Sequence, residues 1–178
     1  MDILAQSASA LAQDAVAAGI ASSPLLDRRP LVLRANDTAA RAVSTLLARN
    51  AWGAAVLDDS NRYLGLCTLR SLGDLALLVS ADSSPYLPAL DYHREDLGAM
   101  AERFAIKAEA PVSSLLDRAV PVVSGAQSLP QALALLVRRP PILAVLDEHD
   151  RSLLGIVTLD RGLRLLHGRS GIAAQQPV

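Results

Sequence analysis

Apolar residues recur along this chain with two periods, one typical of helices and the other typical of strands. From Ala39 to Leu47 they fall at every third or fourth position, which predicts an amphipathic helix, and Leu129 to Val137 repeats that stripe. The apolar runs GAAVLD and YLGLCT, and later LAVLD and LLGIVT, are too short for helices. A polar turn separates the members of each pair, so we expect two strand hairpins.

These elements belong to a sequence unit of about 90 residues that occurs twice. The stretch SSPLLDRRPLVL at residues 22–33 returns as VSSLLDRAVPVV at residues 112–123, and AVLD and Leu-Gly-x-x-Thr-Leu also recur. The runs PLVL and VPVV predict a first strand, while SLGDLALLVS and DRGLRLLHG predict a closing helix. Each unit is therefore expected to run strand–helix–strand–strand–helix, because an order repeated at a fixed period indicates a duplicated fold.

The repeat divides the chain into five segments. We expect an N-terminal helix at residues 1–21, a first unit at 22–80, a linker with a helix at 81–111, a second unit at 112–168 and a flexible tail at 169–178. The linker begins with ADSSPYLPALDY, whose proline and serine residues are typical of an exposed connection.

Composition and charge exclude several classes of function. Of the 178 residues 51% are hydrophobic, enough to form a core, and the net charge is −1 with no basic segment. Nucleic acid is therefore not an expected partner, because phosphate binding needs clustered Lys and Arg. A single cysteine, Cys67, favours a reducing, cytoplasmic location. No apolar run reaches the roughly 18 residues of a transmembrane helix, so we expect no membrane insertion.

The sequence motifs of common enzymes are absent. The chain contains no Gly-x-Ser-x-Gly, paired Cys-x-x-Cys, His-Glu-x-x-His or Walker phosphate loop. The acidic stretch DEHD at residues 147–150 is interpreted as a solvated hairpin turn, since adjacent turn residues rarely all face one metal ion. We therefore expect neither catalysis nor a metal, and a dispersed Ser/His/Asp site is the remaining enzymatic alternative.

The order of elements, together with four sequence stretches, resembles a tandem pair of CBS domains, also called a Bateman module. The stretches are LLDRRPLVL, AAVLDDSNRYLGLCTL, LLDRAVPVV and LAVLDEHDRSLLGIVTL. The resemblance implies an α/β (α+β) fold of two CBS units, packed pseudo-symmetrically with clefts between them. It also implies a non-catalytic regulatory role, with an adenosine-containing ligand such as AMP, ADP, ATP or S-adenosylmethionine. A ligand-free dimerisation or interaction scaffold is the alternative function.

The resemblance also implies where a ligand would bind. Nucleotide-binding members carry Gly-x-x-Thr/Ser-x-x-Asp, in which the hydroxyl contacts the ligand and the carboxylate holds the ribose. Here Thr68 and Thr158 match the hydroxyl, with helix capping as their alternative role, while Ser71 and Arg161 replace the carboxylate. The expected ligand-binding residues are Thr158, Asp160, Arg161, Val120, Val122, Ile142, Leu143 and Ala144 in the second unit, and Thr68, Arg70, Val32, Trp52 and Ala54 in the first.

The predicted helices carry more apolar residues than one buried face requires. SLGDLALLVS and ALALLVRRP are the clearest cases. Excess apolar surface indicates a partner, and modules of this family commonly dimerise through their helices. We therefore expect a homodimer built from the helices after Thr38, Leu69, Ser128 and Leu159. An unidentified protein target would read the state of the module.

Overall fold

The computed structural model describes residues 19–77, 97–138 and 141–169. The N-terminal helix expected before residue 19, the first half of the linker and the tail after Arg169 lie outside these residues. The described residues belong to two compact units, each containing one three-stranded sheet. No helix within these ranges is long and apolar enough to cross a membrane.

The first of these, the β1–β3 unit, spans Leu31–Arg118. Its elements are β1 (Val32–Arg34), α1 (Ala39–Ala48), β2 (Gly53–Leu57), β3 (Tyr63–Thr68), α2 (Leu69–Leu77) and α3 (Leu97–Lys107). β2 lies at the centre of the sheet, parallel to β1 and antiparallel to β3. The expected strand–helix–strand–strand–helix order is therefore confirmed here, and α3 packs along α2.

The other, the β4–β6 unit, contains residues 19–30 and the described residues from Ala119 onward. Its elements are β4 (Val122–Ser124), α4 (Leu129–Arg138), β5 (Ile142–Leu146), β6 (Leu153–Thr158) and α5 (Leu159–Arg169). The pairing repeats that of the first sheet, with β5 parallel to β4 and antiparallel to β6. The duplication seen in the sequence is thus also a duplication of structure.

The local sequence explains where α1 begins and which face it buries. The Thr38 hydroxyl caps the helix and accepts the backbone N–H of Arg41 at 3.3 Å, which satisfies a donor that has no partner within the helix. Three residues of the apolar stripe are fully buried: Ala39, Ala42 and Leu46. Leu47, at the edge of the stripe, stays exposed. The buried face of α1 is therefore narrower than the apolar pattern.

Each sheet also contacts the segment that begins the other repeat. We name residues 19–30 the first strap, which belongs to the β4–β6 unit, and residues 108–118 the second strap, which belongs to the β1–β3 unit. Asp27 exchanges two backbone hydrogen bonds with Ile156, at 2.8 and 3.1 Å. Asp117 donates its N–H to the carbonyl of Leu66 at 2.8 Å. The duplicated Leu-Leu-Asp-Arg is thus the part of each repeat that docks on the sheet of the other repeat.

The straps supply core residues as well as hydrogen bonds. Leu25 and Leu26 are buried in one cluster with residues of β4–β6, and Val112 is buried in the cluster of β1–β3. Each strap also contains a 3₁₀ turn, Ile20–Ser22 in the first and Val112–Ser114 in the second. Without its strap, each sheet would expose part of its core.

Two glycines mark where the straps pass the sheets. Gly65 and Gly155 have φ of +158° and +156°, a backbone conformation that residues with a Cβ rarely adopt. A Cβ at Gly155 would lie 2.3 Å from the carbonyl oxygen of Asp27, whereas one at Gly65 would meet only the side chain of Leu116, at 3.2 Å. Glycine is therefore required more strictly at position 155.

Candidate functional site

Each sheet has a helix-packed face and an opposite face, which we call the second face. In the β1–β3 unit the helix-packed face carries four strand residues of one core cluster: Leu33, Ala54, Val56 and Cys67. Side chains alternate along a strand, so the residues between them point the other way. The second face of this sheet therefore carries Val32, Ala55, Leu66 and Thr68.

This alternation separates the candidate residues of the first repeat. Val32 and Thr68 share the second face, and Val32 lies in register beside Ala55 of β2. Ala54 lies on the helix-packed face, buried against α1, so its side chain cannot join them. The residue that sequence reasoning missed is Ala55, and the match of AVLD with the later AVLD could have identified it as the counterpart of Ala144.

The candidates of the second repeat divide in the same way. Val122 pairs in register with Ala144, and Ile142 pairs with Thr158, which brings these four residues onto one second face. Leu143 points the other way and is fully buried in the core with Leu136 of α4. Val120 precedes β4 and is buried.

Thr68 is embedded in a closed hydrogen-bond network. Its hydroxyl donates to Oδ2 of Asp117 in the second strap at 2.7 Å and accepts the N–H of Ser71 at 3.1 Å. Ser71 reciprocates, because its Oγ accepts the N–H of Thr68 at 3.0 Å and donates to the Thr68 carbonyl at 3.0 Å. This reciprocal pair caps α2, as in a capping box. Thr68 is only 4% exposed.

Thr158 occupies the matching position with different surroundings. Its hydroxyl has no hydrogen-bond partner among the described residues. In these residues every buried side-chain nitrogen or oxygen does have a partner, so this hydroxyl is not a buried one. The Thr158 hydroxyl is therefore reachable by solvent. Arg161, the counterpart of Ser71, instead places Nη1 3.3 Å from Oδ2 of Asp27 in the first strap. Asp160 turns toward Arg164, 3.8 Å away on the next turn of α5.

The two strap carboxylates, Asp27 and Asp117, contact the candidate residues Arg161 and Thr68, and the sequence prediction did not include them. The duplicated Leu-Leu-Asp-Arg is the sequence feature that marks these two aspartates, but nothing in the sequence indicates which strand each aspartate contacts. Two other candidates lie at the periphery of the first repeat. Arg70 is exposed in the first turn of α2, and Trp52 is 52% exposed before β2, where its carbonyl accepts the N–H of Leu69.

The remaining candidate chemistry is inert or absent from the part of the chain described. Cys67 is a fully buried core residue, and burial raises the pKa of its thiol to about 11. Within residues 19–77, 97–138 and 141–169, no group of three or more His, Cys, Asp or Glu side chains could hold a metal ion.

Two units of identical topology, each with a threonine at the junction of a strand and a helix, define a tandem CBS fold. The family model described as CBS domain matches residues 22–74 and 112–168, more than half of the chain. The chain therefore belongs to the CBS domain family. No curated protein matches it.

Solved structures of CBS-pair proteins share this fold at low sequence identity. A CBS domain-containing protein from Bacillus anthracis is 16% identical, with a TM-score of 0.63 over 89% of this chain and 99% of that one. CBSX2 from Arabidopsis thaliana is 20% identical, with a TM-score of 0.64 over 88% and 99%. CbpB, solved in complex with c-di-AMP, is 10% identical, with a TM-score of 0.63 over 90% and 91%. CBSX2 has also been solved in complex with AMP.

Proposed function

We propose that this chain is a regulatory module that senses an adenine nucleotide and has no catalytic activity of its own. Members of the family that share its fold have been solved with AMP and with c-di-AMP, both of which contain adenosine. Ligand binding would change the relative stability of two states of the module, and a protein target would respond to that change.

The observation that carries this proposal is the solvent-reachable hydroxyl of Thr158 beside an apolar strand face. On that face Val122 is 46% exposed, whereas Ala144, its partner in register, and Ile142 are buried. An apolar surface of this kind can contact a base or sugar, and a hydroxyl can both donate and accept a hydrogen bond. Small-molecule sites typically combine such a surface with a few polar groups.

We expect the affinity to be modest. Arg161 and Ser71 stand where a carboxylate would hold a ribose, so a charge-assisted bond of about 1.5–3 kcal/mol is missing, equivalent to roughly 10- to 150-fold in affinity. Calorimetric titration of the whole chain with AMP, ADP, ATP, c-di-AMP and S-adenosylmethionine tests this, with GMP as the control. Binding of at least one adenine compound and not of GMP is the expected result.

A ligand-free interaction scaffold is the second candidate function. The missing carboxylates favour it, since both helix positions have lost the group that would hold a ribose. If none of the five adenosine compounds binds, the sensor proposal fails and the scaffold becomes the better description.

We further propose that the module forms a homodimer through its helices. On α5, Leu163 and Leu166 are 57% and 53% exposed one turn apart, while Leu159 and Leu165 of the same helix pack on the core. This helix is therefore apolar on two faces, and a second copy would bury the outer one. Leu135 of α4 packs against the core, so a charge there would also destabilise the fold.

The better test therefore uses Leu163→Glu combined with Leu166→Glu, measured by light scattering at micromolar concentration. We expect the native chain to be a dimer and the double variant a monomer of native helix content. Ile106→Glu is the matched control, because Ile106 is 81% exposed on α3, outside the helices proposed to associate. A native monomer, or a dimer unaffected by the double variant, would refute this interface.

A further inference from the structure

We infer that the two repeats are unequal as binding sites: Thr158 contacts the ligand, whereas Thr68 holds the second strap in place, so each chain binds one ligand. This inference rests on the proposed nucleotide-sensing function. It assigns ligand binding to Thr158 and not to Thr68, although the two positions are equivalent in the sequence repeat.

The hydrogen-bonding capacity of Thr68 is committed inside the protein. A hydroxyl has a single proton, and Thr68 gives it to Asp117 Oδ2 at 2.7 Å. Its oxygen also accepts the N–H of Ser71 at 3.1 Å. A ligand could use this hydroxyl as a donor only by displacing the strap carboxylate, and Asp117 is fixed by its own N–H bond to Leu66 at 2.8 Å.

Displacement would be costly because Thr68 is buried and its hydroxyl bonds both Asp117 and Ser71. Opening the Thr68–Asp117 bond breaks a charge-assisted hydrogen bond between a buried hydroxyl and a half-buried carboxylate, and the ligand would have to replace it. The reciprocal bonds between Thr68 and Ser71 hold the hydroxyl toward the start of α2. The first repeat therefore uses its threonine for structure.

In the second repeat the strap carboxylate is directed elsewhere. Asp27 makes the same backbone contact as Asp117, with its N–H 2.8 Å from the carbonyl of Ile156, the counterpart of Leu66. Its Oδ2 faces Arg161 at 3.3 Å, and its Oδ1 accepts the N–H of Arg29 at 3.1 Å. Neither oxygen bonds Thr158, whose hydroxyl keeps both its donor and its acceptor capacity.

The residue at the third position of the following helix decides between these arrangements. The Ser71 hydroxyl bonds the backbone of Thr68, and the Asp117 carboxylate bonds the Thr68 hydroxyl. Arg161 reaches Asp27 and draws its carboxylate away from Thr158. Arg161 thus replaces a ribose-binding carboxylate and, at the same time, keeps the neighbouring hydroxyl available. It acts as a positioning residue for Thr158.

Calorimetric titration with AMP and with c-di-AMP tests this inference on the full chain. Thr68→Val and Thr158→Val form a matched pair, because each removes one hydroxyl and keeps the branched shape. We expect one site per chain in the native protein, about fivefold or more weaker binding in Thr158→Val, and affinity within twofold of native in Thr68→Val. Thermal unfolding should show the reverse, with the larger loss in Thr68→Val.

Arg161→Ser provides a second variant, because it gives the second repeat the residue of the first. We expect Asp27 to turn to Thr158 in this variant and binding to weaken by about the same factor as in Thr158→Val. Two sites per chain, or equal weakening by Thr68→Val, would overturn the inference and leave the sensor proposal intact. Absence of binding to the native chain would overturn both.

Discussion

Gly155 is the position where a single methyl group should separate a strap from its sheet. In Gly155→Ala the new Cβ would lie 2.3 Å from the Asp27 carbonyl oxygen and 2.9 Å from its carbon, so the backbone of the first strap must move. Movement breaks the pair of hydrogen bonds between Asp27 and Ile156, which contribute about 0.5–1.5 kcal/mol each. The unusual φ adds about 1–3 kcal/mol once a side chain is present.

Gly65→Ala is the matched control, because position 65 has nearly the same φ but a different neighbour. The three atoms nearest its Cβ all belong to the side chain of Leu116, from 3.2 Å outward, and this side chain can adjust its rotamer for about 0.5–1.5 kcal/mol. Both variants carry the φ cost, and only Gly155→Ala also loses the backbone pair. We therefore expect Gly155→Ala to lower the free energy of unfolding by about 0.5–1.5 kcal/mol more than Gly65→Ala.

Urea denaturation of the two variants measures this difference, and hydrogen exchange locates it. Gly155→Ala should speed exchange of the Asp27 and Ile156 amides, while Gly65→Ala should leave them protected. Equal losses of stability, or unchanged protection at Asp27 in Gly155→Ala, would refute the view that the first strap is held by this close approach.

Two further predictions concern the β1–β3 unit. Burial raises the pKa of the Cys67 thiol from 9.0 to about 11, so the folded state holds the thiol proton more tightly. The stability that this confers is present below pH 9 and is lost as the pH rises toward 11. Cys67→Val, which copies Val157, should remove that loss when thermal unfolding is measured between pH 9 and 11. Thr38→Ala should lower the free energy of unfolding by about 1 kcal/mol through loss of the helix cap. Ser128→Ala should lower it less, because among the described residues the Ser128 hydroxyl bonds only the side chain of Gln131. Equal losses of unfolding free energy in urea denaturation would contradict this.

The parts of the fold that sequence predicts are those set by local periodicity. The stripe of α1 and both hairpins depend on residues close together in the chain, and each is confirmed. The assignment of strand faces is less secure, because a shift of one residue inverts a strand. Ala54 and Leu143, both expected to bind the ligand, lie on the helix-packed faces.

The straps could not be predicted, because their partners are distant in sequence. Asp117 meets Leu66 and Thr68, and Asp27 meets Ile156 and Arg161. Repetition at a fixed period marks a segment as part of a unit, but it does not show which copy of the unit the segment packs against. The difference between Thr68 and Thr158 follows from these distant contacts and was equally invisible in the sequence.

Because each strap packs on the sheet of the other repeat, the structure also predicts which part of the chain folds alone. The sequence repeat at 22–80 contains β1–β3 but lacks the second strap, whereas residues 31–118 contain both. Val112 is fully buried in the cluster of this sheet, with Leu115 and Leu116 packed against it. Burying one such side chain contributes about 1.5–3 kcal/mol, which is a large share of what a domain of this size can spare.

A fragment of residues 31–118 should therefore unfold cooperatively, while fragments 22–80 and 31–107 should not. The 31–107 fragment is the decisive comparison, because it keeps α3 and removes only the second strap. In this fragment the core residues that Val112 covers would be exposed to solvent, and the Thr68 hydroxyl would lose Asp117 as its hydrogen-bond acceptor. Circular dichroism during thermal unfolding distinguishes a cooperative transition from a gradual one. If 31–107 unfolded as cooperatively and at the same temperature as 31–118, the second strap would be an accessory of this unit rather than part of its core.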